Sequence, residues 1–385
     1  MINLYTVNNI NEFSVSDYAK QSAKTAYLIP LINEGTKKYI ENAEADVGII
    51  TLGDKILPIV ASNPKKKQDS NYIVSPYAQY VSYAQEAIKK DTRFDAKMKR
   101  QLGWGYSFLG KWLKWTKFDE VVFVNNWLLS TNLWDHTQLD LLPDMIKILR
   151  EHYPKRAIVF RSLTKIIDEK LFNYLKKLGL IPIVSRHIYV MNPENGLYKK
   201  KRPFQQDSKF AEKMGEQGLY WTSGKDAHPD EYSIITSFYR SLYIDKYSHY
   251  NPIYTDSFVR LMIESRLLNV HLIRHEGKIV AVLATFEQNG VITTPFIGYD
   301  PNAPAEWGLY RLMNMKLMQE AIDRNLILHQ SSGAGDFKKQ RGGESAYEYN
   351  FIYAKHLNTF RQSPWKLFQY MTDRYIIPNM EKYGV

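Results

Sequence analysis

The densest grouping of side chains able to do chemistry lies between two sets of glycines. In Asp336-Phe-Lys-Lys-Gln-Arg-Gly-Gly343, Lys338, Lys339 and Arg341 fall within four residues, with Gly333 and Gly335 before them and Gly342 and Gly343 after. Cations confined between flexible hinges suit an anion clamp, in which lysine is a point charge and arginine a planar fork. A solvated turn of helix has the same composition, so the segment alone leaves both readings open. Gly308 stands at the predicted start of a helix. Unpaired N–H groups and the positive end of the helix dipole make such a start a seat for phosphate or pyrophosphate. Metal chemistry finds no comparable pattern. The nine histidines form no His-Glu-x-x-His or related ligand set, and His271 and His275, four apart, fall in or beside a predicted strand.

These residues need a scaffold, and the stretch Asn269–Leu357 supplies one. Asn269–Ala284 reads as two strands joined at Glu276-Gly277-Lys278, and a third strand follows over Gly290–Tyr299 after the turn Gln288-Asn289-Gly290. The loop Asp300–Pro304 leads into a helix on which Leu309, Met313, Leu317 and Ala321 form one apolar stripe. A strand (Ile327–Gln330), the loop Ser331–Gly335, the basic segment and a last strand (Tyr347–Tyr353) complete it. Meander, helix, strand, short helix, strand is an α+β order, with a helix crossing over a mainly antiparallel sheet.

The first half gives the same order. Val47–Leu52 and Lys55–Ala61 form a hairpin across Gly53-Asp54, Asn63–Asp69 with Lys65–Lys67 reads as an exposed loop, and Pro76–Lys90 is a helix with an aromatic side. Glu120–Leu129 reads as a strand, Thr137 with Asp140 as a capping box, Ala157–Arg161 as a strand, Asp168–Leu178 as a helix stopped by Gly179, and Leu180–Met191 as a long strand. Asn192–Pro229, rich in Pro, Gly and Lys, reads as a linker or surface excursion. Tyr232–Leu267 returns to helix with a break at Asn251-Pro252, and the tail from Pro364 is a helix expected to pack on the body. The expectation is two tandem α+β domains, residues 1–195 and 231–385, with 196–230 between them.

A length of 385 residues accommodates two cores. With no cysteine, disulfides, thiolate zinc sites and a cysteine nucleophile are all excluded. No run approaches the uninterrupted apolar length of a membrane span and Met1–Val15 lacks a signal layout, so a cytoplasmic protein is expected. The formal charge of +11 favours anionic partners: phosphorylated cofactors, tRNA, acidic carrier proteins or anionic lipid headgroups.

At this point the motifs resemble a known family. Ile297-Gly-Tyr-Asp-Pro301, Gly308-Leu-Tyr310 and Ser331-Ser-Gly-Ala-Gly-Asp-Phe-Lys-Lys-Gln-Arg-Gly-Gly343 look like the FemAB-like branch of the GNAT acyltransferase superfamily. Phe337-Lys338-Lys339 followed by Gly342-Gly343-Glu344 is similar to the Phe-Lys segment of the Fem aminoacyl transferases, and Lys246–Pro252 with Tyr254-Thr255 fits that branch's helical lead-in. The motif matches cover about residues 245–357. The usual GNAT pyrophosphate loop is absent, since Asn302–Leu309 holds only Gly308.

The resemblance implies two GNAT-like domains and transfer of an acyl or aminoacyl group from an activated donor to an amine. The donor would lie against Phe296, Ile297 and Gly298 and the helix start at Gly308, Leu309 and Tyr310, with Lys338, Lys339 and Arg341 on its phosphates. Backbone N–H groups near Phe296–Gly298 would hold the oxyanion. Asp300 and Glu287 are the candidate bases, with Tyr299 adjacent. Ser331, Ser332 and His329 would contact substrate or leaving group. The leading expectation is an N-acyltransferase using acyl-CoA or an acyl carrier protein, with no tightly bound cofactor or metal. A Fem-type transferase drawing on aminoacyl-tRNA and a non-catalytic basic binding module are the alternatives, and peripheral membrane contact is a further partner reading.

Overall fold

The computed structural model describes residues 2–63, 70–90, 95–135 and 138–378; Lys65–Lys67 and Thr137 of the expected loop and cap lie outside the described residues. Among the described residues twelve strands occur: β1 (Leu4–Tyr5), β2 (Ala45–Leu52), β3 (Lys55–Ser62), β4 (Val121–Val124), β5 (Ala157–Thr164), β6 (Ile181–Met191), β7 (Leu219–Ser223), β8 (Asn269–His275), β9 (Lys278–Gln288), β10 (Val291–Tyr299), β11 (Ile327–His329) and β12 (Glu344–Tyr353). The α-helices are α1 (Ser22–Glu34), α2 (Tyr83–Lys90), α3 (Ala96–Trp115), α4 (Leu142–His152), α5 (Lys165–Lys177), α6 (Arg202–Glu212), α7 (Tyr232–Arg240), α8 (Asp256–Ser265), α9 (Leu309–Asp323), α10 (Gly335–Lys339) and α11 (Thr359–Met371).

All twelve strands join one sheet in the order β1-β2-β3-β4-β5-β12-β6-β11-β10-β9-β8-β7. The pairs β4–β5 and β10–β11 are parallel and every other pair among the described residues is antiparallel. The architecture is therefore α+β, as expected, with a mixed and mostly antiparallel sheet flanked by helices. The chain exchanges two of its long strands. β12, from the end of the chain, lies between β5 and β6, and β6, from the first half, lies between β12 and β11.

Period-two alternation feeds two faces of the sheet. In β4, Val121 and Phe123 enter one core while Val122 and Val124 enter the opposite one. The first core runs under α1, α3, α7, α8 and α11 and includes Tyr27, Leu113, Ile235, Phe258 and Trp365. On the other face, one core lies under α4 and α5 and another under α9.

Two expectations are corrected. The strand expected over Glu120–Leu129 ends at Val124, because Asn125 and Leu128 adopt φ of 56° and 58°, which an extended strand does not allow. The following segment, 125–134, is nonetheless almost entirely buried. Its asparagines meet the polar requirement that buried irregular backbone creates. Asn125 Nδ2 donates to the Leu133 carbonyl (2.9 Å), and Asn132 Oδ1 accepts from the Trp127 N–H (2.9 Å). The second concerns 196–230, expected as a linker or surface excursion, which holds α6 and β7.

Candidate functional site

The site begins with a break in the sheet. β10 and β11 pair in parallel only over Val291–Thr293 against Ile327–His329. Beyond this β10 continues to Tyr299, while the chain after β11 turns to β6: the Gln330 N–H donates to the Tyr189 carbonyl (2.8 Å) and the Tyr189 N–H to the Ser331 carbonyl (3.2 Å). A bulge in β10 between Thr293 and Phe296 sits at the point of parting. Pro295 occupies it and has no N–H to give a ladder, while Thr294 Oγ1 donates to the Ala284 carbonyl (2.9 Å). The two strands thus enclose a gap that opens toward Phe296–Tyr299 on one side and Ser331 on the other.

Helix α7 floors the β10 side. A Cβ added at Gly298 would come 2.6 Å from the Phe238 backbone, so only glycine admits the helix this close. Next to it the Tyr239 ring stacks on Phe296 with centroids 4.7 Å apart.

On the other side stands a charged cluster. Arg186 of β6 donates to both carboxylate oxygens of Glu348 on β12, Nε to Oε1 at 3.0 Å and Nη2 to Oε2 at 2.7 Å. It also reaches Thr131 Oγ1 (3.0 Å) and Ser331 Oγ (3.3 Å). Burial alone would raise the Glu348 pKa, but the charge and hydrogen bonds of Arg186, with His329 and Arg161, together hold it below the usual carboxylate range. Arg161 is buried beside them and donates to the carbonyls of Leu129 (3.0 Å) and Ser130 (3.3 Å). Burial works against the charge of Arg186, but the Glu348 carboxylate outweighs it and holds the guanidinium pKa above its ordinary value.

Lys338 belongs to this cluster. It is 5% exposed, its Nζ donates to the carbonyls of Ser332 (2.9 Å) and Ser331 (3.3 Å), and it lies 5.6 Å from the Tyr189 ring centroid. Burial, followed by repulsion from Arg186, pushes its pKa down to about 7. A buried, half-neutral amine is a poor surface clamp for phosphate and a good proton acceptor near neutral pH. His329 is buried and neutral, its pKa pushed down to about 4 mainly by burial. Its Nδ1 accepts from the Ser331 N–H (3.1 Å), which leaves the proton on Nε2, 3.8 Å from Glu348. His329 therefore holds the backbone of the serine loop.

Helix α9 starts beside this cluster. Its first turn has no side-chain cap, and Gly308 precedes it with φ of 53°. The glycine is required by packing, since a Cβ there would lie 2.8 Å from the Phe210 ring of α6. Asp207, also on α6, joins the two basic segments: Arg311 of α9 and Arg341 after α10 each meet one of its oxygens at 2.6 Å. The Tyr310 and Phe337 rings meet at 5.2 Å, and the Arg341 guanidinium lies 3.5 Å from the Phe337 centroid. Tyr310 and Arg311 at the start of α9 are thus brought next to Phe337 and Arg341. Lys339 lies 5.9 Å from the Tyr189 ring centroid.

The expected bases are not brought together. Glu287 pairs in register with Ile292, and Asp300 follows Tyr299 at the other end of β10. Ile292 and Tyr299 are seven residue steps apart along the strand, roughly 23 Å at about 3.3 Å per step. Glu287 is engaged by Arg324 at 2.6 Å, away from the gap. Asp300 Oδ1 accepts from the Asn302 N–H (2.9 Å), closing the turn into α9, while Tyr299 lies 6.5 Å from Tyr310. Ser332 is exposed at the rim. The sequence reading missed Arg186, Glu348, Asp207 and Pro295. Pro295 carried a local signal as a proline inside an apolar strand; the others act through partners more than 100 residues away. His271 meets Glu320 (3.6 Å) and His275 stacks on Trp307 (4.4 Å). Among the described residues no group of three or more His, Cys, Asp or Glu could hold a metal ion, and no helix is long and apolar enough to cross a membrane.

With this geometry in view, the comparisons with known proteins bear on the same region. The family model described as an acetyltransferase (GNAT) domain matches residues 204–341, from the start of α6 to Arg341. No curated protein matches the chain by sequence. Among solved structures, FemX is similar over 91% of this chain and 98% of its own, with a TM-score of 0.53 and 9% identity. A tandem GNAT protein from the clavulanic acid biosynthesis pathway aligns over 93% of this chain and 100% of its own (TM-score 0.40, 9% identity). The C-terminal domain of a putative lysylphosphatidylglycerol synthetase from Agrobacterium fabrum aligns over 65% and 82% (TM-score 0.43, 11% identity). Residues 204–341, which hold the parted strands β10 and β11 and the helix between them, thus match a GNAT acetyltransferase domain, and the likeness to FemX extends a shared fold over nearly the whole chain.

Proposed function

We propose that the chain transfers an aminoacyl group from aminoacyl-tRNA to an amine, in the gap between β10 and β11. The observation that carries this reading is the likeness to FemX over nearly the whole of both chains, together with the Phe337-Lys338-Lys339 and Gly342-Gly343-Glu344 segments that resemble the Fem transferases. The charge of +11 agrees with a polyanionic donor. In this mechanism the neutral acceptor amine attacks the ester carbonyl. Its proton passes to Lys338 Nζ, and the departing ribose hydroxyl takes a proton as the C–O bond breaks. Backbone N–H groups of Phe296–Gly298 would meet the developing oxyanion. Ser331 and Ser332 would line the leaving-group side, and the start of α9 with Lys339 and Arg311 would meet donor phosphates, with Arg341 holding Asp207 and Phe337 in place beneath them.

The second reading keeps the site and changes the donor to an acyl thioester on CoA or an acidic carrier protein. The GNAT family match favours it. Against it stands the start of α9, where Phe210 packs on the lone Gly308 in place of a glycine-rich pyrophosphate loop. The same proposal takes the chain as two GNAT-like units, near residues 1–195 and 231–385. A parallel strand pair in each half supports that division, while the packing of α6 on α9 favours an earlier start for the second unit. In the first half, the segment 125–134 closes over its own strand pair, with Trp134 Nε1 donating to the Arg161 carbonyl of β5 (2.8 Å). That closure favours a donor site in the second half.

The test is binding of charged tRNA and of acyl-CoA to the purified chain at increasing salt. The tRNA reading predicts tight binding that falls steeply with salt, because several phosphates are contacted. Saturable binding of acyl-CoA with no binding of tRNA would replace it with the thioester reading.

A further inference from the structure

Helix α3 carries two apolar faces; among the described residues one packs on the core, while the other meets Phe360 of α11 at one end. Leu113 is buried, and Tyr106, Leu109 and Trp112 pack against the same core. On the other side Trp104, Phe108 and Trp115 are 75%, 78% and 73% exposed. At about 100° per residue these three side chains fall within roughly 40° of arc, forming one narrow stripe. Phe360 of α11 meets the Trp115 ring at 4.7 Å and, itself partly exposed, extends the stripe. Around it the helix is uniformly cationic: the segment AKMKRQLGWGYSFLGKWLKW contains lysines and an arginine and no acid. Lys97, Arg100, Lys111 and Lys114 are all exposed.

We infer that this face of α3 lies on an anionic lipid surface, with Trp104, Phe108 and Trp115 in the interface and the flanking lysines at the headgroups. Exposed tryptophan and phenylalanine on one stripe, with cations beside it, is the pattern of an interfacial helix. Each basic residue held near an anionic leaflet adds to the attraction. A protein occupant fits less well. Three aromatic side chains offer at most about 450–750 Å², short of the roughly 800 Å² that each partner gives to a stable interface. A second copy of this chain would set two acid-free cationic helices against each other. The inference does not depend on which acyl donor the gap takes.

The test is co-sedimentation of the full chain with phosphatidylcholine vesicles, with and without about a third phosphatidylglycerol. The expected result is pelleting only with phosphatidylglycerol and release on raising the salt. The variant Trp104→Ala/Phe108→Ala/Trp115→Ala should lose at least about tenfold in apparent affinity while keeping its melting temperature. Lys111→Glu/Lys114→Glu, which spares the aromatics and so guards against a folding defect, should lose the preference for phosphatidylglycerol. Three results would overturn the inference: no pelleting of the native chain, unchanged pelleting of both variants, or lipid-free self-association that the aromatic variant abolishes. The last would assign the face to a second copy.

Discussion

At the residue scale the chemistry turns on Lys338 and the carboxylate beside it. Burial, with repulsion from Arg186, moves the Lys338 pKa from its ordinary value of 10.5 down to about 7 in the folded chain. Below about 7 both states hold the proton; between 7 and 10.5 only the unfolded state does. Unfolding free energy should therefore climb with pH across that window, by up to about 1.4 kcal/mol per unit. In Lys338→Met the climb should be absent from urea unfolding measured at successive pH values. The same variant should lose about 10²- to 10⁴-fold in transfer rate if Lys338 accepts the amine proton. Glu348→Gln removes the counterion of Arg186 and leaves a mostly buried guanidinium charge uncompensated. That should cost about 3–5 kcal/mol of stability, read by denaturant titration. The lysine was legible in the sequence as a member of a basic run. Its burial was not, because what buries it comes from β6 and β12.

At the element scale the decisive contact is α6 lying across the start of α9. Gly308→Ala would place a methyl against Phe210 in a backbone region that disfavours side chains. A loss of about 1–3 kcal/mol is expected by thermal melting, together with weaker donor binding. The sequence showed α9 clearly through its stripe of Leu309, Met313, Leu317 and Ala321, all buried. It hid α6, whose sequence RPFQQDSKFAE is mostly polar and whose value lies in Asp207 and Phe210 rather than in a broad apolar face. The strand expected through Leu129 failed for a related reason. Apolar composition fitted a strand, but the positive φ values at Asn125 and Leu128 depend on asparagine bonds that periodicity does not reveal.

At the scale of the whole molecule, the exchange of β6 and β12 ties the halves together. A fragment ending at residue 195 would leave β5 without β12, and β6 without either neighbour. It should not fold alone, which amide protection of the fragment would check. The intact chain should unfold in one transition by circular dichroism and fluorescence alike, and refold slowly, since β12 must pair with strands from the other half. Two separate transitions would contradict this. Repeated element order was visible in the sequence, but the exchange was not: either long strand has an apolar pattern compatible with either position.

The central claim is that the gap beside Lys338 transfers an activated aminoacyl group. The most direct measurement is the rate at which the purified chain discharges labelled aminoacyl-tRNA to a panel of amines between about pH 6 and 9, with Lys338→Met in parallel. Discharge faster than spontaneous hydrolysis, rising as pH passes about 7 and lost in the variant, is the predicted result. Discharge at the spontaneous rate, or an equal rate from the variant, would contradict it.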